Sequence, residues 1–254
     1  MVVAVAAMVM AALAGAPVQA AGQAHHAHER TDRHVAAART IVATVKVGTT
    51  VRGRRIVAHQ VGDPDAKRTV LLMGAIHGNE RGPSRILGSI LHGRPVKGAN
   101  IWIIRVFNRD GAAADRRTNA HRVDLNRNFP LHWKRLRSPY YSGKGPASEP
   151  ETRALMRFLK RIRPDRVVSF HQPLHGVGRT GLHRGRTFQR RLSRQLGLPL
   201  RSFNCHGGCH GTMTDWFNAH FRGVAITVEY GARMTRHQLR TGPRRLLLAV
   251  GAHR

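Results

Sequence analysis

Acidic residues are scarce in this chain. It has 13 Asp and Glu against 43 Lys and Arg, a formal net charge of +30. Such an excess draws anionic partners over long range: nucleic acid, acidic lipid or an anionic cell-wall polymer. A compositional arginine bias on solvated faces is the competing explanation. Aromatic residues make up only 6%, and no basic run is interleaved with them as a stacking platform for bases requires. Specific nucleic-acid recognition is therefore not expected. Cysteine is nearly missing, with two residues in Cys205-His206-Gly207-Gly208-Cys209-His210. In an exported protein a local Cys205–Cys209 disulfide is the expectation, and the two glycines permit so tight a loop. The rival is a second metal site of two thiolates and two imidazoles, although the spacing matches no common zinc module.

One long apolar run is present. Met1 to Ala20 is nearly all Ala, Val, Met and Leu, carries no charge and ends in Val18-Gln19-Ala20. That is the pattern of a secretory signal peptide cleaved after Ala20. The run is short and Ala-heavy for a spanning helix, which needs about 20 strongly apolar residues. No Lys or Arg precedes it, so an uncleaved anchor is the alternative. The expectation is a secreted or cell-envelope protein with no stable membrane span after processing. Residues 21–39, with His25, His26, His28 and His34, lack a core-forming pattern and read as a disordered polar leader. Residues 40–254 suffice for one α/β domain, and no linker or internal repeat divides them.

Within that domain, apolar runs and helix patterns alternate. Ile41–Val47 and Arg54–Val61 read as strands at an edge, and Thr69–Ala75 as a buried strand. Arg81–Leu91 reads as a helix and Ile101–Phe107 as a β-rich run ending in the turn signal Asn108-Arg109-Asp110-Gly111. Ser148 and Glu151 form a capping-box pattern around Pro150, opening a helix that Pro164 stops. Arg166–Phe170 and Val224–Val228 are further strands. Phe188–Leu196 and Arg236–Val250 are surface helices, the second interrupted at Gly242-Pro243. Strands alternating with helices imply a sheet covered on both faces.

The chemistry begins at His77 and Glu80. An imidazole and a carboxylate three positions apart can reach one metal ion from a single turn. They follow the Thr69–Met73 run, at the carboxyl end of a strand, where open α/β sheets place ligands. A catalytic zinc site takes three protein ligands and keeps one open position. His171, directly after Val167-Val168, is the candidate third. Asp124, in Arg122-Val123-Asp124-Leu125-Asn126-Arg127-Asn128-Phe129, is the candidate carboxylate that orients His77 through its second nitrogen. Asn126 and Arg127 offer adjacent donors, and the Arg fork matches a carboxylate. Glu229 ends the run Val224–Val228 and can move a proton from water to a leaving amine. Arg117 is the candidate stabiliser of a developing oxyanion.

Gly78-Asn79-Glu80 after His77, Asn108-x-Asp110-Gly111, Val123-Asp124-x-Asn126-Arg127-Asn128-Phe129, Ser169-Phe170-His171 and Thr227-Val228-Glu229 stand in one order. In that order the chain resembles the zinc carboxypeptidase family, and above all its short bacterial members such as the murein peptide amidases. Tyr141-Ser142-Gly143 and Ser148-Glu149-Pro150-Glu151-Thr152 add to the likeness. It spans roughly Val57 to Tyr230. The resemblance implies a three-layer α/β/α sandwich around a mixed, mostly parallel sheet of about eight strands. It implies one Zn²⁺ per chain on His77, Glu80 and His171, with Asn126 and Arg127 on the substrate carboxylate. Arg117 would polarise the scissile carbonyl, and Glu229 would be the general acid/base. A secreted metallopeptidase cleaving next to a free carboxylate, in a cell-wall peptide, is the expectation. The alternatives are a general carboxypeptidase on protein C-termini and a non-catalytic wall- or polyanion-binding module. Three departures stand out: Arg109 replaces the usual Pro, Arg122 the frequent Gly, and no tyrosine lies between His171 and Glu229.

Overall fold

Runs rich in Val, Ile and Leu form the strands, and amphipathic segments between them cover both faces of one sheet. The computed structural model describes residues 40–203 and 209–254. Its strands are β1 (Ile41–Thr49), β2 (Arg55–Gly62), β3 (Thr69–Gly74), β4 (Asn100–Ile104), β5 (Arg166–His171), β6 (Leu174–Gly178), β7 (Leu200–Arg201) and β8 (Val224–Gly231). Its helices are α1 (Gly82–Leu91), α2 (Arg109–Ala113), α3 (Pro150–Ile162), α4 (Arg186–Leu196), α5 (Met213–His220) and α6 (Arg236–Val250). The expected signal peptide, the polar leader and Cys205 lie outside the described residues. Cys209 is disulfide-bonded.

The strand order is β1-β2-β4-β3-β5-β8-β6-β7. The central four, β4-β3-β5-β8, are parallel. On one side β2 is antiparallel to β4 and β1 to β2. On the other, β6 returns antiparallel to β8. Of the two strands expected at an edge, only β1 is one, so β2 lies further inside than its sequence suggests. β3 and β5 are buried almost throughout, which is why they read as continuous apolar runs rather than alternating ones. One core packs α1, α4 and α6 on the sheet through Leu87, Ile90, Leu192 and Leu247. The other packs α3 and α5 on the opposite face through Leu155, Phe158, Trp216 and Phe217. From β3 the chain crosses α1 to β4, whereas β5 lies on the other flank of β3. The carboxyl ends of β3 and β5 therefore flank a topological switch point, the crevice where such sheets bind ligands.

Three local expectations change. Asn108–Gly111 is not a plain turn. The Asn108 side chain accepts the Gly111 N–H at 2.8 Å and caps α2. Ser148 does not cap α3. Its hydroxyl donates to Glu149 Oε1 at 2.8 Å and accepts from Asn128 Nδ2 at 2.9 Å. Glu149 takes the flanking position, with no side-chain cap. Nor is α6 interrupted at Gly242-Pro243. Both residues are buried, and a Cβ on Gly242 would fall 2.6 Å from Ile86 Cδ1. Close packing on α1 holds the helix together through its missing donor.

Asp110 joins α2 to the β1–β2 turn. It accepts from the Arg52 N–H at 2.9 Å and from Arg54 Nη1 at 2.6 Å. Burial pushes this carboxyl pKa up, but the Arg52 N–H and the Arg54 guanidinium outweigh it and hold it below the usual value. A depressed folded pKa means stability that is present above the unfolded value and lost as pH falls through the folded one. Asp110→Asn is expected to cost about 1–3 kcal/mol at neutral pH and to flatten the acid side of the stability profile. An unaltered acid limb in denaturant unfolding against pH would contradict this.

Candidate metal centre and substrate cleft

β3 ends at Gly74, and the next residue, Ala75, adopts a left-handed φ of 53°. Such backbone strain persists only where neighbours enforce it. Here the Phe107 and Asn108 N–H groups hold the Gly74 and Ala75 carbonyls. The turn swings His77 into the crevice. Gly78 lies so close to α2 that a Cβ would stand 2.1 Å from the Gly111 carbonyl carbon. The Glu80 N–H donates to the His77 carbonyl at 3.1 Å, which folds the two side chains to one side. His171 arrives from the end of β5, beside β3 in parallel register.

The three side chains meet. Glu80 Oε1 is 2.7 Å from His77 Nδ1, and Glu80 Oε2 is 3.0 Å from His171 Nδ1. The two Nδ1 atoms are 3.2 Å apart. One donor atom from each residue falls within 4.8 Å of the others, and all three residues are buried. A tetrahedral zinc with nitrogen ligands at about 2.0–2.1 Å separates its donors by about 3.3 Å, so this donor set fits the ion. The outer nitrogens agree with it. His77 Nε2 contacts Asp124 Oδ1 at 3.0 Å and His171 Nε2 contacts Ser169 Oγ at 3.0 Å. Partners on the outer nitrogens leave both Nδ1 lone pairs facing inward. Burial works against charge on His77, but Glu80 and Asp124 outweigh it and raise its pKa. Glu80 and Asp124 are held far below the usual carboxylate range despite their burial, chiefly by His77.

Asp124 has a second duty. Its Oδ2 accepts from Arg117 Nε at 2.8 Å, and its Oδ1 also accepts the Asn126 N–H at 2.9 Å. Arg117 Nη1 reaches Glu80 Oε1 at 3.3 Å. The structure therefore sets Arg117 beside the metal ligands, partly occupied by two carboxylates. Asn126 and Arg127 sit in a short 3-10 turn, Leu125–Arg127. The Asn126 oxygen is held by the Met213 N–H at 2.9 Å, which turns its amide nitrogen elsewhere. Arg127 is 5% exposed. Its Nη1 donates to the Asn126 carbonyl at 2.8 Å, and its Nε is buried without a partner. Among the described residues no carboxylate closes an ion pair with it. Burial lowers its pKa, against the pull of Asp124.

Glu229 sits on β8 in register with His171 and accepts the Leu174 N–H at 3.3 Å. Burial raises its carboxyl pKa above the ordinary value, against the opposing pull of His171. His77, Glu80, His171, Arg117, Asn126, Arg127 and Glu229 line one cavity of about 840 Å³, large enough for a peptide.

Three residues at this site make contacts that the sequence does not assign. Ser169 orients His171, and strand periodicity could have found it, since residues two apart share a face. Gln172 donates its N–H to Glu80 Oε2 at 3.2 Å, while its side chain bridges the Gly82 N–H and the Gly231 and Ala232 carbonyls. Tyr140 comes from a distant loop, and no local signal marks it. The walls formed by β6 and α5 were also unmarked, because both are short and only partly apolar.

Several known proteins resemble this chain. Murein peptide amidase A of Escherichia coli (strain K12) is 34% identical over 123 residues, covering 43% of this chain and 51% of that protein. The Vibrio campbellii protein of the same name is 30% identical over 159 residues, covering 57% and 62%. The chain thus spans between half and two thirds of these relatives. The structure of murein-tripeptide amidase MpaA from Escherichia coli O157 superposes with a TM-score of 0.64 at 25% identity, covering 83% of this chain and 90% of that one. Bovine thrombin-activatable fibrinolysis inhibitor shares the fold, with a TM-score of 0.67 at 20% identity over 83% and 88%. Residues 29–177 match the zinc carboxypeptidase family. That match covers more than half the sequence and contains all three candidate metal ligands, so the chain belongs to the zinc carboxypeptidase family.

Proposed function

We propose that this protein is an exported zinc-dependent hydrolase that cleaves an amide bond next to a free carboxylate, with a cell-wall peptide as substrate. One observation carries the reading: Arg127 is a buried guanidinium in the cleft, with an unpartnered Nε and, among the described residues, no carboxylate in an ion pair with it. A buried cation left this way is costly, and an anionic ligand end satisfies it. A planar fork favours a carboxylate.

In this reading Arg127 and Asn126 hold the substrate carboxylate, which brings the neighbouring amide toward the triad. His77, Glu80 and His171 would hold the zinc, which when bound would supply Lewis acidity toward the carbonyl and lower the pKa of water. Glu229 takes a proton from the attacking water and delivers it to the departing nitrogen as the C–N bond breaks. Arg117 stabilises negative charge on the carbonyl oxygen, with Nη2 as its donor, since Nε and Nη1 are engaged by Asp124 and Glu80.

The cell-wall assignment draws support from the two murein peptide amidases above and from the signal-like residues 1–20. Among the described residues, no helix is long and apolar enough to cross a membrane. The basic surface supports an anionic cell-wall polymer as a partner. Arg186, Arg190 and Arg194 on α4, and Arg236, Arg240 and Arg244 on α6, are exposed at intervals of four residues, so each set lines one helical face. The test is incubation with defined muropeptides and with ordinary C-terminal peptides. Cleavage of muropeptides, abolished by chelator and restored by zinc, is the expected result. Turnover of ordinary peptides alone rejects the cell-wall substrate. No turnover of either, in zinc-loaded protein, leaves a binding module.

A further inference from the structure

No tyrosine lies between His171 and Glu229, yet an aromatic ring does stand in the cleft, contributed by the loop that precedes α3. The Tyr140 ring centroid is 5.3 Å from the Arg117 guanidinium carbon and 5.4 Å from that of Arg127. The ring lines the same cavity as the triad, and the residue is 38% exposed.

The loop that carries it is tied down on both sides of the ring. The Tyr141 carbonyl accepts the Asp124 N–H at 2.8 Å. The Ser142 carbonyl accepts from Asn128 Nδ2 at 2.8 Å and Trp133 Nε1 at 3.1 Å. The Ser142 hydroxyl donates to the Lys134 carbonyl at 2.7 Å and accepts the Leu136 N–H at 2.9 Å. Tyr140 is thus fastened to the segment that supplies Asp124, Asn126 and Arg127.

We propose that Tyr140 is a positioning residue whose ring holds the Arg117 and Arg127 guanidiniums side by side, so that one substrate meets both. This rests on the carboxylate reading above. Two guanidiniums near one ring repel each other, and the negative face of the ring attracts both. Held together, one addresses the carboxylate and the other the carbonyl of the same molecule. The exposed part of the ring screens the carboxylate end from solvent, which strengthens charge pairing there.

The experiment is calorimetric titration of the full chain, metal-free and zinc-loaded, with an N-acetyl amino acid and with its primary amide, alongside KM and kcat on a cleaved peptide. The unmodified protein is expected to prefer the carboxylate to the amide. Tyr140→Phe keeps the ring and should stay within about twofold. Tyr140→Ala, and Tyr140→Leu, which keeps bulk without a π face, should lose about 3- to 30-fold of carboxylate affinity. The KM should rise by the same factor, and kcat should fall as well, because Arg117 loses its placement beside the carbonyl. Three results would overturn the proposal: undiminished carboxylate binding by Tyr140→Ala, a Tyr140→Leu variant as good as Tyr140→Phe, or a Tyr140→Phe variant as poor as Tyr140→Ala. Equal binding of acid and amide by the unmodified protein would instead bring down the carboxylate reading, and this inference with it.

Discussion

Glu229→Gln is expected to lose about 10²–10⁴-fold in kcat while retaining its zinc and its affinity for the substrate carboxylate. The amide keeps the shape of the side chain and its acceptor for the Leu174 N–H but cannot take a proton. Glu229 is not one of the three converging ligands, so metal content should match the unmodified protein. The unmodified enzyme should also show an acid limb set by this residue. Activity requires the ionised form, and burial raises the carboxyl pKa. Activity therefore falls as pH drops, with a midpoint above the ordinary carboxylate value of about 4.3. A Glu229→Gln variant that keeps most of its kcat, or an unmodified profile flat from neutral down to that value, would remove Glu229 from the chemistry.

Arg127→Met is expected to act in the opposite way on function and on stability. A hydrogen bond to a charged group contributes about 1.5–3 kcal/mol, so KM for a free-carboxylate substrate should rise about 10- to 150-fold. Thermal stability should hold or increase, because a buried cation that makes no ion pair among the described residues and has an unpartnered Nε gives way to an apolar side chain of similar length. Asn126 is the matched contrast. Its side-chain oxygen secures the Met213 N–H at the start of α5, so Asn126→Ala should weaken both substrate binding and the fold. Binding and unfolding assays on the two variants separate these outcomes. A marked drop in the unfolding temperature of Arg127→Met would show that Arg127 is part of the internal framework rather than a ligand contact.

The chain order of motifs made much of this legible, for a physical reason. The donors sit at the ends of strands β3, β5 and β8, whose apolar runs are readable, and adjacent strands bring their ends together. His77, His171 and Glu229 are thus placed by topology, with β5 between β3 and β8. What escaped detection depends on tertiary context. Ser148 has the residue type and spacing of a cap, but Asn128 and Glu149 engage its hydroxyl. Pro243 reads as a break, yet burial against α1 carries α6 through it. Tyr140 belongs to an irregular loop in which no periodicity exists to be read. Its place over two arginines follows from hydrogen bonds made by Tyr141 and Ser142 to residues far away in sequence. The orientation of Arg117, shared between Asp124 and Glu80, is likewise a property of the folded site alone.

Zinc analysis of the purified chain and of its His171→Ala variant tests the convergence of these side chains most directly. His171 is 94 positions from His77, and only the fold joins them. One zinc per chain in the unmodified protein, and a loss of most of it in the variant, is the predicted result. Full zinc retention by His171→Ala would contradict the account, since the ion would then be held somewhere other than between β3 and β5.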